Sequence, residues 1–197
     1  MTIQELYDLL ASDDFQRADT GNLFFPAYMY MYEPENEYEI EEAIEDIKNR
    51  LYRPSNYIDI LVIDIYEEFM KYLGNAAFLK STKLDKFKER ELSRAEIADK
   101  AVKAEAYSQP FLSGLNEIIQ AHLAKEGDYK ASYVFVKGFG RAFPYIRASR
   151  FMNNFEKYIK NYKIIMFYPG KAKDNYYSLF GTLNDENLYR AIKLINQ

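Results

Sequence analysis

The chain of 197 residues contains no cysteine and no tryptophan, and its single histidine is His122. Without cysteine there is no disulfide, no thiolate metal site and no thiol nucleophile. A Ser-His-Asp arrangement would have to use His122, and a zinc site would have to rely on carboxylates. His122 lies between Ala121 and Leu123 in a predicted helix, which favours a structural place, and no serine stands in a Gly-x-Ser-x-Gly setting. No uncharged apolar run reaches about 18 residues, so no membrane-spanning helix and no membrane partner are expected. The opening MTIQELYDLL lacks a basic stretch followed by an apolar one and a small-residue cleavage site, so no secretory leader is expected. Together these absences predict a cytoplasmic microbial protein.

What is present is a large apolar fraction, 48%, enough to form the core of one domain over residues 1–197. Tyrosine is abundant at 19 residues. Its large ring and hydroxyl suit interfaces, although an AT-rich coding sequence also enriches it. The net charge of −4 argues against wholesale coating of nucleic acid. Its distribution is uneven. From Glu33 to Asp46 there are eight acidic residues and no basic one; from Lys137 to Lys173 there are nine basic residues and one acidic one, Glu156. Such asymmetry steers a partner or marks two solvated faces.

Thr2 and Glu5 fit a capping box for a short helix through Leu10. Phe24–Tyr32, Tyr57–Ile63, Tyr133–Val136 and Lys163–Tyr168 read as strands, the first a continuous apolar run suited to burial on both faces. Helices are predicted over Glu37–Leu51, from Asp64 through Leu73, from Pro110 to Lys125, over Phe143–Tyr158 and over Glu186–Ile195, with an edge strand at Tyr177–Leu183. The acidic run then forms the first turn and solvated face of the second helix, where negative charge suits the dipole. Residues 80–107 read as a charged helical insertion, packed lightly, whose weak stripe is interrupted by Glu91 and Glu105. Strands alternating with helices predict a three-layer α/β fold: a mainly parallel sheet with helices on both faces, Rossmann-like or a degenerate P-loop-like arrangement.

One stretch, VFVKGFGRAFPYIRASRFMNNF, raises a question of chemistry. Gly138-Phe139-Gly140 follows a strand and precedes a helix, as a dinucleotide fingerprint would, but Phe143 holds the place of the third glycine. No GxxxxGK[ST] occurs. The turn either holds phosphate or only needs a positive φ. Beyond it, Arg147, Arg150, Asn154, Lys157 and Asn161 are predicted to share one stripe, with Phe151, Met152, Phe155 and Ile159 facing the core. Arginine offers a rigid fork of donors for carboxylate or phosphate. Lys137, Arg141, Lys171 and Lys173 are expected at the carboxyl edge of the strands, beside the Tyr168-Pro169-Gly170 loop, where open α/β sheets bind ligands. They form a functional basic edge, or they are solubilising charges and partners of the chain's own acids. Asp59, Asp64 and the Asp13-Asp14 pair have no companion histidine, acid or nucleophile imposed by spacing, so no catalytic residue, metal site or cofactor is assigned.

The same stretch, followed by IIMFYPG and YYSLFGTL, resembles the BrxB family of bacteriophage exclusion (BREX) systems. The matching segments are Phe143-Pro144-Tyr145-Ile146-Arg147, Asn153-Asn154, Phe167–Gly170 and Leu179–Gly181. The early strand with its Tyr-x-Pro exit and the Ile-Asp-Ile-Tyr-Glu region also agree. The resemblance implies an accessory component of an anti-phage system without assigned catalytic activity. Such systems also contain a methyltransferase, an ATPase and a phosphatase-like or nuclease-like protein, PglZ. It further implies PglZ as partner, with other BREX subunits beside it. The residues that would contact a partner, phosphate or carboxylate are Lys137, Gly138, Gly140, Arg141, Arg147, Arg150, Asn154, Tyr168, Gly170, Lys171 and Lys173. Other readings are a degenerate nucleotide-binding domain using the Gly138–Gly140 turn, and direct DNA contact through residues 137–173.

Overall fold

Three apolar runs, AYMYMY, YVFV and KIIMFY, supply the middle of a parallel sheet. The structure, a computed structural model, describes residues 1–17, 26–125, 127–173, 176–184 and 192–193. In chain order the elements are α1 (Ile3–Ala11), α2 (Asp13–Gln16), β1 (Ala27–Tyr32), α3 (Glu37–Tyr52), β2 (Ile58–Asp64) and α4 (Ile65–Asn75). Then come β3 (Ala77–Phe78), β4 (Ser81–Thr82), α5 (Lys83–Glu105), α6 (Gln109–Leu123), β5 (Ala131–Lys137), α7 (Phe139–Ala142) and α8 (Ala148–Phe155). The last are β6 (Lys163–Lys173), β7 (Tyr176–Leu179), β8 (Leu183–Asn184) and β9 (Ile192–Lys193).

Parallel strands stand in the order β2-β5-β6-β1-β9, and β7 turns back antiparallel on the far end of β6. From β2 to β5 and from β5 to β6 the chain steps sideways in one direction, with α4–α8 on one face. From β1 to β2 it steps the opposite way, and α3 lies on the other face. A right-handed crossover requires this change of face when the direction reverses. The side chains alternate accordingly. Tyr28, Tyr30, Tyr32, Tyr133, Phe135, Ile165 and Phe167 pack under α1–α3, against Leu10, Ile40, Ile44 and Ile47. Met29, Val134, Val136, Ile164, Met166 and Tyr168 pack under α4–α8, against Phe69, Phe111, Leu115, Phe151 and Phe155. The fold is the expected three-layer α/β arrangement. Many of the tyrosines serve this core rather than a surface. The Tyr133 hydroxyl donates to the Leu10 carbonyl at 3.0 Å inside it, and burial pushes that phenol well above its ordinary range.

Several element boundaries differ from expectation. Of the predicted helix over Phe143–Tyr158 only α8 is α-helical: α7 ends before Phe143, residues 143–147 form a connection through the cis Phe143-Pro144 bond, and a 3₁₀ turn at Glu156–Tyr158 follows α8. The ring of Pro144 disfavours a helical Phe143, which is extended, so α7 stops before it and α8 begins afresh after Arg147. Lys157 and Asn161 therefore do not continue the α8 stripe. At the carboxyl end, Ile192 and Lys193 pair with β1 as a strand, against the predicted helix Glu186–Ile195, the rest of which lies outside the described residues. Phe24 and Phe25, included in the first predicted strand, also lie outside them.

The charged insertion has the most consequential difference. A straight helix of 23 residues separates its ends by about 33 Å. Yet Lys83 Nζ, at the start of α5, lies 2.7 Å from Glu105 Oε2 at its end. Non-helical angles at Arg94 (φ −150°, ψ 67°) break α5 there and fold it into a helical hairpin. Leu84 and Phe87 of one half and Val102 of the other pack toward the core cluster. Between the hairpin and α4 lies a cavity of about 240 Å³ lined by Phe69, Leu73, Leu84, Phe87, Val102 and Tyr145, among others. Glu105, which interrupts an apolar stripe in sequence, is thus the clasp. Its Oε2 also accepts from the Tyr72 hydroxyl at 2.8 Å, and Lys83 donates to that same hydroxyl at 2.9 Å.

Burial works against charge at both groups, but the hydrogen bonds between them and Tyr72 outweigh it, holding Glu105 below the usual carboxylate range and Lys83 above the usual lysine range. A depressed acid contributes stability that is lost as pH falls through its folded value; a raised lysine contributes stability that is lost as pH rises through its own. The clasp should therefore be strongest between about pH 5 and pH 10. Glu105→Gln is expected to flatten the acid side of the stability profile and to increase amide exchange across residues 83–105. Urea denaturation and hydrogen exchange at pH 4 and pH 7 measure this, and an unchanged profile would reject the clasp.

Candidate functional site

At the carboxyl edge the strands end in Tyr32, Asp64, Lys137 and the Tyr168-Pro169-Gly170 segment of β6. Asp64 is the centre of this edge. As N-cap of α4, its Oδ1 accepts from the N–H groups of Tyr66 and Glu67, both at 3.1 Å, satisfying donors that a helix start leaves open. Its Oδ2 receives the Arg141 guanidinium from α7. The Asp64 side chain is 8% exposed and that of Arg141 is 45% exposed, so the pair is anchored at the acid. Glu41 of α3 and Glu67 of α4 each lie 3.9 Å from Arg141. The Arg141 guanidinium also stands 5.6 Å from the Tyr66 ring centre.

The two glycines of the GxG turn make room for the protein's own groups. Gly138, the N-cap of α7, has φ +87°, and a Cβ there would lie 2.5 Å from Asp64 Oδ1. A Cβ at Gly140 would lie 3.1 Å from the Phe180 ring. The Asp64 carboxylate thus packs directly on Gly138, and the Phe180 ring on Gly140. Gly170 makes a close approach of another kind: a side chain there would run into the Ser178 carbonyl of β7.

Lys137, Arg141 and Lys171 do gather at this edge, as the topology predicts, and each meets an acid from the chain. Lys137 Nζ lies 2.9 Å from Glu41, and Lys171 Nζ lies 3.2 Å from Glu33. The acidic and basic halves of the sequence therefore neutralise one another here. Glu37, also from the acidic run, accepts from the buried Tyr32 hydroxyl at 2.7 Å; burial, then this bond, push the Tyr32 phenol far up. Tyr168 is buried in the core beneath α4–α8. Lys173 ends β6, and its side chain lies outside the described atoms.

Arg147, Arg150 and Asn154 lie elsewhere, on and before α8. This helix is sharply two-sided: Phe151, Met152 and Phe155 are buried, while Arg150, Asn153 and Asn154 are exposed. Tyr107, at the junction of α5 and α6, binds both arginines. Its oxygen accepts from the Arg147 N–H at 2.8 Å, and its ring lies 4.7 Å below the Arg150 guanidinium. The Arg147 guanidinium stands 5.6 Å from the Phe143 ring centre. Beside them Lys157 Nζ stands 5.0 Å over the Tyr158 ring and donates to Gln109 at 3.1 Å. Among the described residues, none of these three cations makes an ion pair.

Sequence reasoning missed a companion for Asp59. His122 Nε2, in the last turn of α6, lies 2.8 Å from Asp59 Oδ2, with both side chains largely buried. Lys125 Nζ lies 3.5 Å from the other ring nitrogen. The pair ties the end of α6 to β2. The signal was helical spacing, since His122 continues the buried series Leu112, Leu115, Ile119. Among the described residues, no group of three or more histidine and carboxylate side chains is placed to hold a metal ion.

A family model described as "BREX protein BrxB" matches residues 61–194, from β2 to beyond β9. The chain belongs to the BrxB family of BREX phage-defence systems. It is similar to the BREX protein BrxB of Bacillus cereus (strain H3081.97), with 27% identity over 170 residues that cover 86% of this chain and 83% of the relative. No solved structure matches.

The edge geometry predicts a ranking of variants. Gly138→Ala must bear a left-handed φ and crowd the cap, and should lower stability by about 2–3 kcal/mol. Asp64→Asn keeps a capping oxygen and should lose less than Asp64→Ala, which removes both the cap and the partner of Arg141. Chemical denaturation orders the three; equal losses for Asn and Ala would show that capping is not what Asp64 contributes most.

Proposed function

We propose that this BrxB-family chain is a non-catalytic interaction subunit of a BREX defence complex, and that it docks a PglZ-like partner through the α8 face. The carrying observation is the contrast between two sets of cations. Lys137, Arg141 and Lys171 are matched by Glu41, Asp64 and Glu33. Arg147, Arg150 and Lys157 instead rest on the rings of Phe143, Tyr107 and Tyr158 without an ion pair among the described residues. Stacking holds a guanidinium in place at low entropic cost while leaving its donors directed outward, which suits capture of an acidic segment. Arginine and tyrosine are also the residues over-represented at interface hot spots. Against a nucleotide at the Gly138 turn stands the Asp64 carboxylate, whose charge repels phosphate. Against duplex DNA as the ligand stands the net charge of −4.

The α8 face can be reversed without touching the core. Arg147→Glu with Arg150→Glu should leave the folded protein intact by circular dichroism and weaken co-purification with PglZ by at least about tenfold, the size of a hot-spot loss. Undiminished co-purification would sink the reading. Steeply salt-dependent DNA binding that the same reversal abolishes would replace it.

A further inference from the structure

A second surface, of opposite sign, opens at the carboxyl edge. A crevice of about 480 Å³ lies between the start of α3 and the β7–β8 turn, lined by Pro34, Glu37, Tyr38, Glu41, Arg141 and Phe180, with Gly140 at its floor. Two large rings stand on its rim in solvent: Tyr38 is 84% exposed and Phe180 is 41% exposed. Phe180 has φ +54°, a left-handed conformation unusual for so bulky a residue, and its ring comes close to Gly140. Isolated exposed rings need no explanation, but two lining one crevice mark a contact surface. Along the outer side of α3 and its approach, Glu35, Glu39 and Glu42 are exposed and have no cation partner among the described residues. The described cations near the crevice are already engaged by Glu33, Glu41 and Asp64. What remains outward-facing is a pair of aromatic rings with carboxylates extending for about 10 Å along the helix, the rise from Glu35 to Glu42.

We propose that this crevice docks a basic segment of a partner protein, placing one apolar anchor between Tyr38 and Phe180 and lysines or arginines against Glu35, Glu39 and Glu42. Charge complementarity selects a cationic occupant, and the row of acids extending beyond the crevice selects a peptide segment over a compact ligand. The surface is independent of α8, because α3 covers one face of the sheet and α8 the other. The chain then holds two partner segments of opposite charge.

A photo-reactive phenylalanine analogue in place of Tyr38 tests this in cells carrying the complete BREX system, with the adduct located by mass spectrometry. The expected adduct lies on a partner-protein segment of net positive charge. Its yield should fall at least about tenfold when Glu39→Lys and Glu42→Lys are added, and again in a separate Phe180→Asn variant. Asparagine tolerates the left-handed backbone, so Phe180→Asn should keep or raise the Tm while losing the adduct, which a structural role for the ring would not produce. Arg147→Glu with Arg150→Glu should leave this adduct in place, so that failure of the α8 reading is distinguishable. Absence of an adduct, an adduct on an acidic or neutral segment, on nucleic acid or on a second copy of the chain, or an adduct that persists in these variants, overturns the proposal.

Discussion

The carboxyl edge depends on one carboxylate. Asp64 stands where β2 becomes α4, and its two oxygens do different things: one closes the open N–H groups of α4, the other holds Arg141 from α7. Because Gly138 has no side chain, the carboxylate can lie directly against the β5–α7 turn. Two neighbouring strand-to-helix turns are thereby joined through a single buried charge. An unpaired buried carboxylate would be expensive, whereas one that accepts two backbone donors and faces a guanidinium is satisfied. The position of the α4–α7 layer over the sheet, and with it the rim of the crevice, follows from this contact.

That constraint gives the opposite charges of the sequence two different fates. Part of the acidic run reaches the edge and neutralises Lys137, Arg141 and Lys171. The residual charge is then displaced to the two outer faces, acids along α3 and cations along α8. In an open α/β sheet the crevice beyond the carboxyl ends of the strands usually receives a ligand. Here the Asp64 carboxylate and its Arg141 partner stand at that edge, against the Gly138 turn.

Much of this architecture was legible in the amino-acid pattern, and the misses share a cause. Strands such as YVFV and KIIMFY announce burial on both faces because nothing polar interrupts them, and Asp64 announces a cap because it precedes the periodic series Ile65, Phe69, Leu73. What failed were inferences that needed distance in space. The stripe from Leu84 to Glu105 fits a single helix as long as its ends are assumed to be far apart; only the contact between Lys83 and Glu105 reveals the reversal at Arg94. For the GxG turn the sequence left phosphate binding and a positive φ both open; Gly138 does take a positive φ, and the packing of Asp64 and Phe180, 74 residues before Gly138 and 40 after Gly140, against the two glycines was not legible locally. Pro144 was a local signal against a helical Phe143, and so against a helix that begins there.

The edge pairs differ in how readily a partner could exchange them. Lys171 and Glu33 are both more than half exposed, and pairs of this kind contribute about 0–1 kcal/mol, so an incoming charge can replace either member with little loss. Asp64 cannot be exchanged in this way, since moving it opens the start of α4. A partner approaching the crevice therefore meets one fixed wall, Arg141 held by Asp64, and an adjustable surround that includes Glu33, Lys171 and the exposed acids Glu39 and Glu42 of α3. Such a division favours recognition of a charged segment by its sign and spacing, with the rim adapting to the segment while the sheet beneath stays as it is.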